Sequence, residues 1–125
     1  MLSLISSHDT PRFLSLCGGD RTSLRLAWLV LLTMPGAPCI YYGTEVGLNQ
    51  WHDLQYEDGS RRMEESRTPM IWGRDQNREL NEFYRSLIFW RNRWGVHAMT
   101  PRLVHADQGG LLLFLVGSWL VVINR

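Results

Sequence analysis

A histidine and an aspartate, His8 and Asp9, stand side by side in the segment SSHDTPR, directly after the short apolar run of residues 2–5. Such a pair could do chemistry, because an imidazole N–H is a directed hydrogen-bond donor and a carboxylate stabilises positive charge that develops beside it. The alternative is a plain turn, in which Asp9 accepts hydrogen bonds from backbone N–H groups ahead of Pro11.

Two short strands and a helix between them would position this pair. Residues 2–5 and residues 39–42 are apolar runs that predict buried strands. Residues 23–34 predict a helix that is apolar nearly all round, with Asp20 or Thr22 as its N-cap. Strand, helix and strand in that order, with continuously apolar strands, predict a parallel sheet covered on both faces. The His-Asp pair then lies at the carboxyl end of the first strand.

A long loop, a second helix and three further strands follow. Residues 43–78 hold no sustained apolar period, and loops of this length are usually functional or disordered. Within the loop, Trp51, His52 and Tyr56 predict either an aromatic surface for sugar rings or a small core of the loop itself. Apolar spacings of three and four predict a helix over residues 78–92. Apolar runs predict an antiparallel meander over residues 102–106, 111–116 and 119–124.

Composition limits the partners of the chain. Its 125 residues suit one domain, and its formal net charge of +1 gives no electrostatic reason to expect nucleic acid or a membrane as partner. The longest apolar core, residues 26–32, is far shorter than the roughly 20 residues of a membrane span, and no signal peptide follows Met1. Cys17 and Cys39 fit no metal or disulfide framework. We therefore predict a cytoplasmic protein without a metal or other cofactor.

Three segments together resemble the α-amylase superfamily of glycoside hydrolases, most of all its neopullulanase, cyclomaltodextrinase and maltogenic amylase branch. They are LISSHDTPRFLSLCGGD, MPGAPCIYYGTEVGL and RTPMIW, in that order. The resemblance implies an α/β fold, namely the last two β/α units of a TIM (β/α)8 barrel followed by the start of an antiparallel β-sandwich domain. It assigns residues 1–98 to the barrel and residues 99–125 to the sandwich, so the chain is expected to be the C-terminal piece of a longer protein.

The same resemblance assigns roles to single residues. Asp9 is expected to be the catalytic carboxylate that stabilises the transition state, and His8 to bind the sugar beside it. Arg12 is a further substrate-binding candidate, with an ion pair to a carboxylate at the barrel mouth or exposure to solvent as its two expected surroundings. Trp51 and Tyr56 are candidates on a different ground, because aromatic faces suit the apolar faces of sugars, and a small core of the loop is their alternative. Retaining glycosidases also need a nucleophile and a general acid, and no position here matches those motifs. The isolated chain is therefore expected to be inactive.

Two residues that carry charge receive structural roles. Glu45 follows the second strand, but the family does not use that position in catalysis, so we expect it to anchor a loop. Arg67 belongs to the RTPMIW segment, which is expected to pack the long loop back toward the last helix.

The resemblance also implies partners. The expected substrates are α-1,4-linked or α-1,6-linked glucose oligomers, cyclodextrins or pullulan, and a homodimer is one assembly that it allows for the longer protein. Some relatives bind calcium, but no cluster of oxygen ligands in this sequence requires it. The alternatives are a non-catalytic remnant that binds sugar or a partner chain, and a truncated product without function.

Overall fold

Parallel and antiparallel strands flank the helices of the chain. In the computed structural model, which describes residues 2–124, the strands are β1 (Leu2–Leu4), β2 (Ala37–Cys39), β3 (Pro101–Ala106), β4 (Leu111–Val116) and β5 (Trp119–Asn124). The helices are α1 (Phe13–Leu16), α2 (Arg21–Thr33) and α3 (Arg78–Trp94), with short 3-10 helices at Thr44–Val46, Met63–Arg67, Gly73–Asp75 and Val96–Ala98. β1 pairs with β2 in parallel, and β4 pairs antiparallel with β3 and β5. The predicted parallel pair and antiparallel meander are confirmed. The prediction that the two parallel strands are buried is wrong for this chain, because every residue of β1 and β2 is exposed or half-buried.

A side-chain cap fixes where α2 begins. The Asp20 carboxylate accepts hydrogen bonds from the backbone N–H groups of Thr22 (2.9 Å) and Ser23 (3.1 Å), two of the donors that have no partner inside the first helical turn. Asp20 is therefore the N-cap, and α2 starts at Arg21, two residues earlier than predicted.

An arginine from α3 closes the other end of α2. The Arg91 guanidinium is buried and donates hydrogen bonds to the backbone carbonyls of Leu32 and Met34, both at 2.7 Å, and to that of Gly36. The last carbonyls of a helix have no intrahelical donor, so these bonds satisfy groups that burial would otherwise leave unpaired. As predicted, the helix ends before Pro35.

Two apolar clusters form the core, and α2 contributes to both. The cluster between the helices contains Leu14, Leu24, Trp28 and Leu80. The cluster under the antiparallel sheet contains Val96, Phe114, Val116, Val121 and Ile123, and Leu26, Leu29 and Val30 of α2 pack against it. The Trp28 side chain is fully buried beside the ring of Tyr84, with centroids 5.3 Å apart. The helix pair and the sheet are thus joined through α2.

The second strand lies earlier than predicted. β2 covers Ala37–Cys39 and pairs in register with Leu2–Leu4, whereas the prediction was residues 39–42. The two residues Tyr41 and Tyr42 are not part of the strand. Their backbone and side chains face Arg12 and the long loop instead of β1, as described below. The prediction over residues 39–42 was therefore wrong for the tyrosines. Tyr41 is half-buried and Tyr42 is exposed, and their aromatic rings contact Arg12 instead of forming part of a strand.

Three other features complete the architecture. The short helix α1 and the 3-10 helices of the long loop were not predicted, since each is too short to show an apolar period. Helix α3 ends at Trp94, two residues beyond the prediction, where Gly95 adopts the left-handed conformation (φ 67°) that glycine tolerates best. Among the described residues, no helix is both long and apolar enough to cross a membrane.

Candidate active site

His8 and Asp9 lie in the turn that follows β1, and both side chains are open to solvent. His8 Nε2 lies 3.0 Å from Asp9 Oδ2, and the two side chains are 62% and 60% exposed. The turn is built by other groups: Ser7 N–H donates to Thr10 Oγ1 (2.9 Å), and Asp9 N–H donates to Ser7 Oγ (3.2 Å). Serine and threonine hydroxyls thus hold the backbone, and the Asp9 carboxylate is left available to a ligand.

A distant arginine reaches the same carboxylate. Arg67 Nη2 lies 3.3 Å from Asp9 Oδ1, so each carboxylate oxygen has its own neighbour. The preceding residue fixes this approach, because Ser66 Oγ donates to the backbone carbonyls of His8 (2.6 Å) and Met63 (2.8 Å). We expected Arg67 only to take part in packing the long loop toward the last helix. Arg67 and Asp9 are 58 residues apart in sequence. The positive charge of Arg67 was the only signal that could have suggested this contact.

Arg12 is buried, so the alternative in which it faces solvent does not fit. Its guanidinium lies 4.8 Å from the ring centroids of Tyr41 and Tyr42, and Nη1 donates to the Tyr42 carbonyl at 2.8 Å. Its backbone N–H donates to Gln50 Oε1, also at 2.8 Å. Burial lowers the pKa of Arg12, while the neighbouring tyrosines and Glu45 oppose that shift. Arg12 therefore joins the turn after β1 to the segment after β2, and it neither forms an ion pair with a described carboxylate nor faces solvent.

The polar atoms around Arg12 are not all paired. Among the described residues, Arg12 Nε and Nη2 are buried without a hydrogen-bond partner, and the same is true of Glu45 Oε2. Glu45 lies in the 3-10 helix that follows β2, and its charge adds to burial in raising the pKa of Tyr84. Among the described residues, no donor bonds to Glu45 Oε2, so this atom gives no support to the predicted role of Glu45 in anchoring the loop.

The long loop is held by one glutamate. Glu65 Oε2 accepts hydrogen bonds from the backbone N–H groups of Trp51 (3.2 Å) and His52 (3.1 Å), and Glu65 Oε1 lies 2.9 Å from His52 Nδ1. Burial raises the pKa of Glu65, but the hydrogen bonds from His52 and Trp51 outweigh it, so the pKa lies below its usual value. The backbone at Trp51 is therefore fixed although the loop has little regular structure.

The two aromatic candidates of the loop are exposed. Trp51 is 77% exposed and Tyr56 is 46% exposed, so the alternative that they form a small core of the loop does not fit. Tyr56 lies in a tight hairpin closed by a bridge between Gln55 and Arg61, and the guanidinium of Arg62 lies 3.8 Å from the Tyr56 ring centroid. Within residues 2–124, the Asp9 carboxylate pairs with His8 and Arg67 and with neither of these two aromatic side chains.

A metal site is not evident in the part of the chain that the structure describes. Within residues 2–124, no group of three or more His, Cys, Asp or Glu side chains could hold a metal ion. The chemistry that these residues offer is therefore that of one carboxylate with an imidazole and a guanidinium at its two oxygens.

Comparisons with known proteins identify the family. The sequence model described as "Alpha amylase, catalytic domain" matches residues 1–87. The chain is 45% identical over 116 residues to Neopullulanase 2 of Thermoactinomyces vulgaris, which covers 90% of this chain and 18% of that protein. It is 41% identical over 93 residues to a cyclomaltodextrinase of Geobacillus thermopakistaniensis, which covers 74% of this chain and 14% of that protein. This chain therefore belongs to the α-amylase family of glycoside hydrolases.

A solved structure shows the same arrangement of elements. The cyclic alpha-maltosyl-(1-->6)-maltose hydrolase of Arthrobacter globiformis, in complex with maltose, matches with a TM-score of 0.79 and 27% identity. The match covers 100% of this chain and 27% of that one. The two curated relatives named above are much longer than this chain, which spans 18% and 14% of their lengths. The predicted membership of the neopullulanase-like group is confirmed by these relatives.

Proposed function

We propose that this chain is the C-terminal part of a retaining glycoside hydrolase that acts on α-linked glucans. It would supply the seventh and eighth β/α units of the barrel (residues 1–98) and the start of the β-sandwich (residues 99–125). The open edges support this placement. Among the described residues β1 pairs with β2 alone, so its other edge is open to a neighbouring strand. The exposed Leu120 and Val122 alternate with buried residues along β5, as expected where a second sheet would pack.

The observation that carries the proposal is the Asp9 carboxylate, exposed at the carboxyl end of a parallel strand with a polar neighbour on each oxygen. In glycoside cleavage the sugar develops positive charge in an oxocarbenium-like transition state. A carboxylate held at that position interacts more strongly with the transition state than with the neutral sugar, so it lowers the barrier. His8 would donate to a sugar hydroxyl, and Arg67 would hold Asp9 in place.

The reaction needs two further carboxyl groups. A retaining glycosidase uses a nucleophile and a general acid about 5 to 5.5 Å apart. No position here matches the family motifs for either group, so we assign both to preceding barrel strands of a longer polypeptide and propose that the isolated chain does not hydrolyse glycosides. The relatives' names support α-1,4-linked or α-1,6-linked glucose oligomers, cyclodextrins and pullulan as substrates. A homodimer and a cytoplasmic location stay predictions.

The experiment is Asp9→Asn in the polypeptide as its gene encodes it. The substitution keeps the side-chain shape but removes the charge, and loss of one such electrostatic contact lowers kcat by about 100-fold to 1,000-fold. Initial rates on maltotriose, pullulan and β-cyclodextrin would measure the effect. Asp75→Asn, at an exposed aspartate in the 3-10 helix Gly73–Asp75, is the control and should keep the wild-type rate. An Asp9→Asn enzyme with near-normal turnover would contradict the role of Asp9.

A further inference from the structure

Two adjoining clefts run along one side of α1. Each has a volume of about 480 Å³, within the range of about 300–1,000 Å³ typical of ligand sites. They share Ser15, Gln50 and Asp53, so they form one continuous groove, called here the α1 groove. One end of the groove reaches Pro11, two residues after Asp9, and the other end reaches the glycines that follow α1. The end of the groove at Pro11 is therefore close to the proposed catalytic residue along the chain, and the rest of the groove continues toward Gly18 and Gly19.

An exposed aromatic ring lies in each half of the α1 groove. Tyr56 lines the half next to Pro11, and Trp51 lines the other half. The backbone at both residues is held by hydrogen bonds. Tyr56 N–H donates to the Ser60 carbonyl at 2.9 Å, and the Trp51 N–H donates to Glu65 Oε2 at 3.2 Å. Exposed aromatic side chains on a fixed backbone lose little conformational freedom on binding, which favours a ligand that stacks on them.

The polar groups of the groove suit a neutral, hydroxyl-rich ligand. Asp53 and Glu57 line it with exposed carboxylates, which accept hydrogen bonds from hydroxyls. Gln50 forms part of its floor and is held on both sides, because its Oε1 accepts from Arg12 N–H and its Nε2 donates to the His52 carbonyl (2.8 Å each). The two carboxylates disfavour an anionic ligand such as a phosphate. Glucose residues combine hydroxyls with apolar ring faces, and they match both the rings and the carboxylates.

We infer that the α1 groove is a distal subsite that binds glucose residues of an α-glucan beyond the one at Asp9. It would make the enzyme prefer longer substrates, with Trp51 and Tyr56 as the residues that set this preference. The inference rests on the proposed function, because Asp9 defines where the reacting sugar lies.

The test compares a long and a short substrate in the polypeptide as its gene encodes it. The variants are Trp51→Ala and Tyr56→Ala, and the ratio of kcat/KM for maltoheptaose to that for maltotriose is the quantity measured. Each variant is expected to lower this ratio about tenfold, equal to about 1.4 kcal/mol of lost binding. Trp72→Ala is the matched control, because Trp72 is 75% exposed but lies outside the groove, and it should leave the ratio unchanged. Trp51→Phe and Tyr56→Phe, which keep an aromatic ring, should restore most of the ratio.

The outcomes separate the groove from the proposed function. A ratio that stays at the wild-type value in both alanine variants would overturn the subsite. If the unmodified polypeptide hydrolyses no α-glucan of any length, the proposed function fails, and calorimetry with maltoheptaose then decides on the groove. Binding that the alanine variants lose and the Trp72→Ala variant keeps would support the groove, and an absence of binding to the unmodified polypeptide would overturn it as well.

Discussion

The Asp9 carboxylate combines a fixed direction with an open face. Its two oxygens are oriented by His8 and Arg67, while the turn is held by the Ser7 and Thr10 hydroxyls. A group that stabilises a transition state must be in place before the reaction and yet reach the substrate. At 60% side-chain exposure, Asp9 meets both requirements.

Removing the Arg67 charge should slow catalysis moderately. In Arg67→Gln we expect kcat to fall about threefold to tenfold, because a half-exposed ion pair contributes only about 1 kcal/mol. Arg67→Lys keeps the charge but not the planar fork, so an intermediate kcat is expected. Steady-state kinetics on maltotriose measure the effect, with the exposed Arg74→Gln as control. If kcat of the two glutamine variants agrees, Arg67 does not position Asp9.

The loop around Trp51 should loosen in acid. The folded-state pKa of Glu65 lies below that of an unfolded glutamate, which is about 4.3. The stabilisation is therefore complete above that value and is lost as pH falls through the lower folded pKa. Hydrogen exchange of the Trp51 and His52 amides, corrected for intrinsic rates, should show protection at pH 6 that declines toward pH 3. Glu65→Gln should remove this pH dependence, whereas Glu64→Gln at the exposed neighbour should keep it; equal profiles in both variants would contradict the prediction.

For single residues, neighbours in sequence could be predicted to lie together, and contacts between residues far apart in sequence could not. His8 and Asp9 were found because both are adjacent in sequence and follow an apolar strand. The burial of Arg12 depends on tyrosines about 30 residues away, and the contact of Arg67 depends on a residue 58 positions away. No sequence period encodes such contacts, so neither the burial of Arg12 nor the contact of Arg67 with Asp9 could be predicted.

At the scale of elements, the two ends of α2 show what a pattern can and cannot indicate. The N-cap at Asp20 is encoded within three residues and was predicted as one of two candidates. The arginine at the other end comes from α3, and its hydrogen bonds span 55 to 59 residues. Strand β2 was misplaced for a similar reason, since Tyr41 and Tyr42 contact Arg12, and Tyr42 also bonds to the long loop, instead of forming part of the sheet.

Replacing Arg91 should destabilise the fold. Arg91→Met keeps the aliphatic part of the side chain but leaves the carbonyls of Leu32, Met34 and Gly36 without their donor. We expect the free energy of unfolding to fall by about 3 kcal/mol, because hydrogen bonds to a buried charged donor contribute about 1.5–3 kcal/mol each and some of the carbonyls regain water. Urea unfolding measures the change. Arg93→Met, two residues along on the exposed side of α3, should change stability by less than about 0.5 kcal/mol, and an equal loss in both variants would refute the capping role.

At the scale of the whole molecule, apolar periodicity was sufficient to predict the helices and the antiparallel sheet. It was not sufficient to predict the conformation of the long loop. The helices and the three-stranded meander follow from spacing that repeats over many residues. The loop between β2 and α3 is organised instead by Glu65, Ser66 and Arg67, which bond to Trp51, His8 and Asp9. These are single polar contacts between segments far apart in sequence. The bounds of the loop could therefore be predicted, but its conformation could not.

The bond between Arg91 and the end of α2 also sets an order of events during synthesis. Leu32, Met34 and Gly36 are made 55 to 59 residues before Arg91. At about 5–20 residues per second, a ribosome needs about 3–12 s to cover that distance. During that time the carbonyls at the end of α2 lack the Arg91 donor and bond to water instead. The apolar side chains of α2 also remain unburied until α3 and the meander have been made. The first part of this chain is therefore the part for which a chaperone has the longest opportunity to bind.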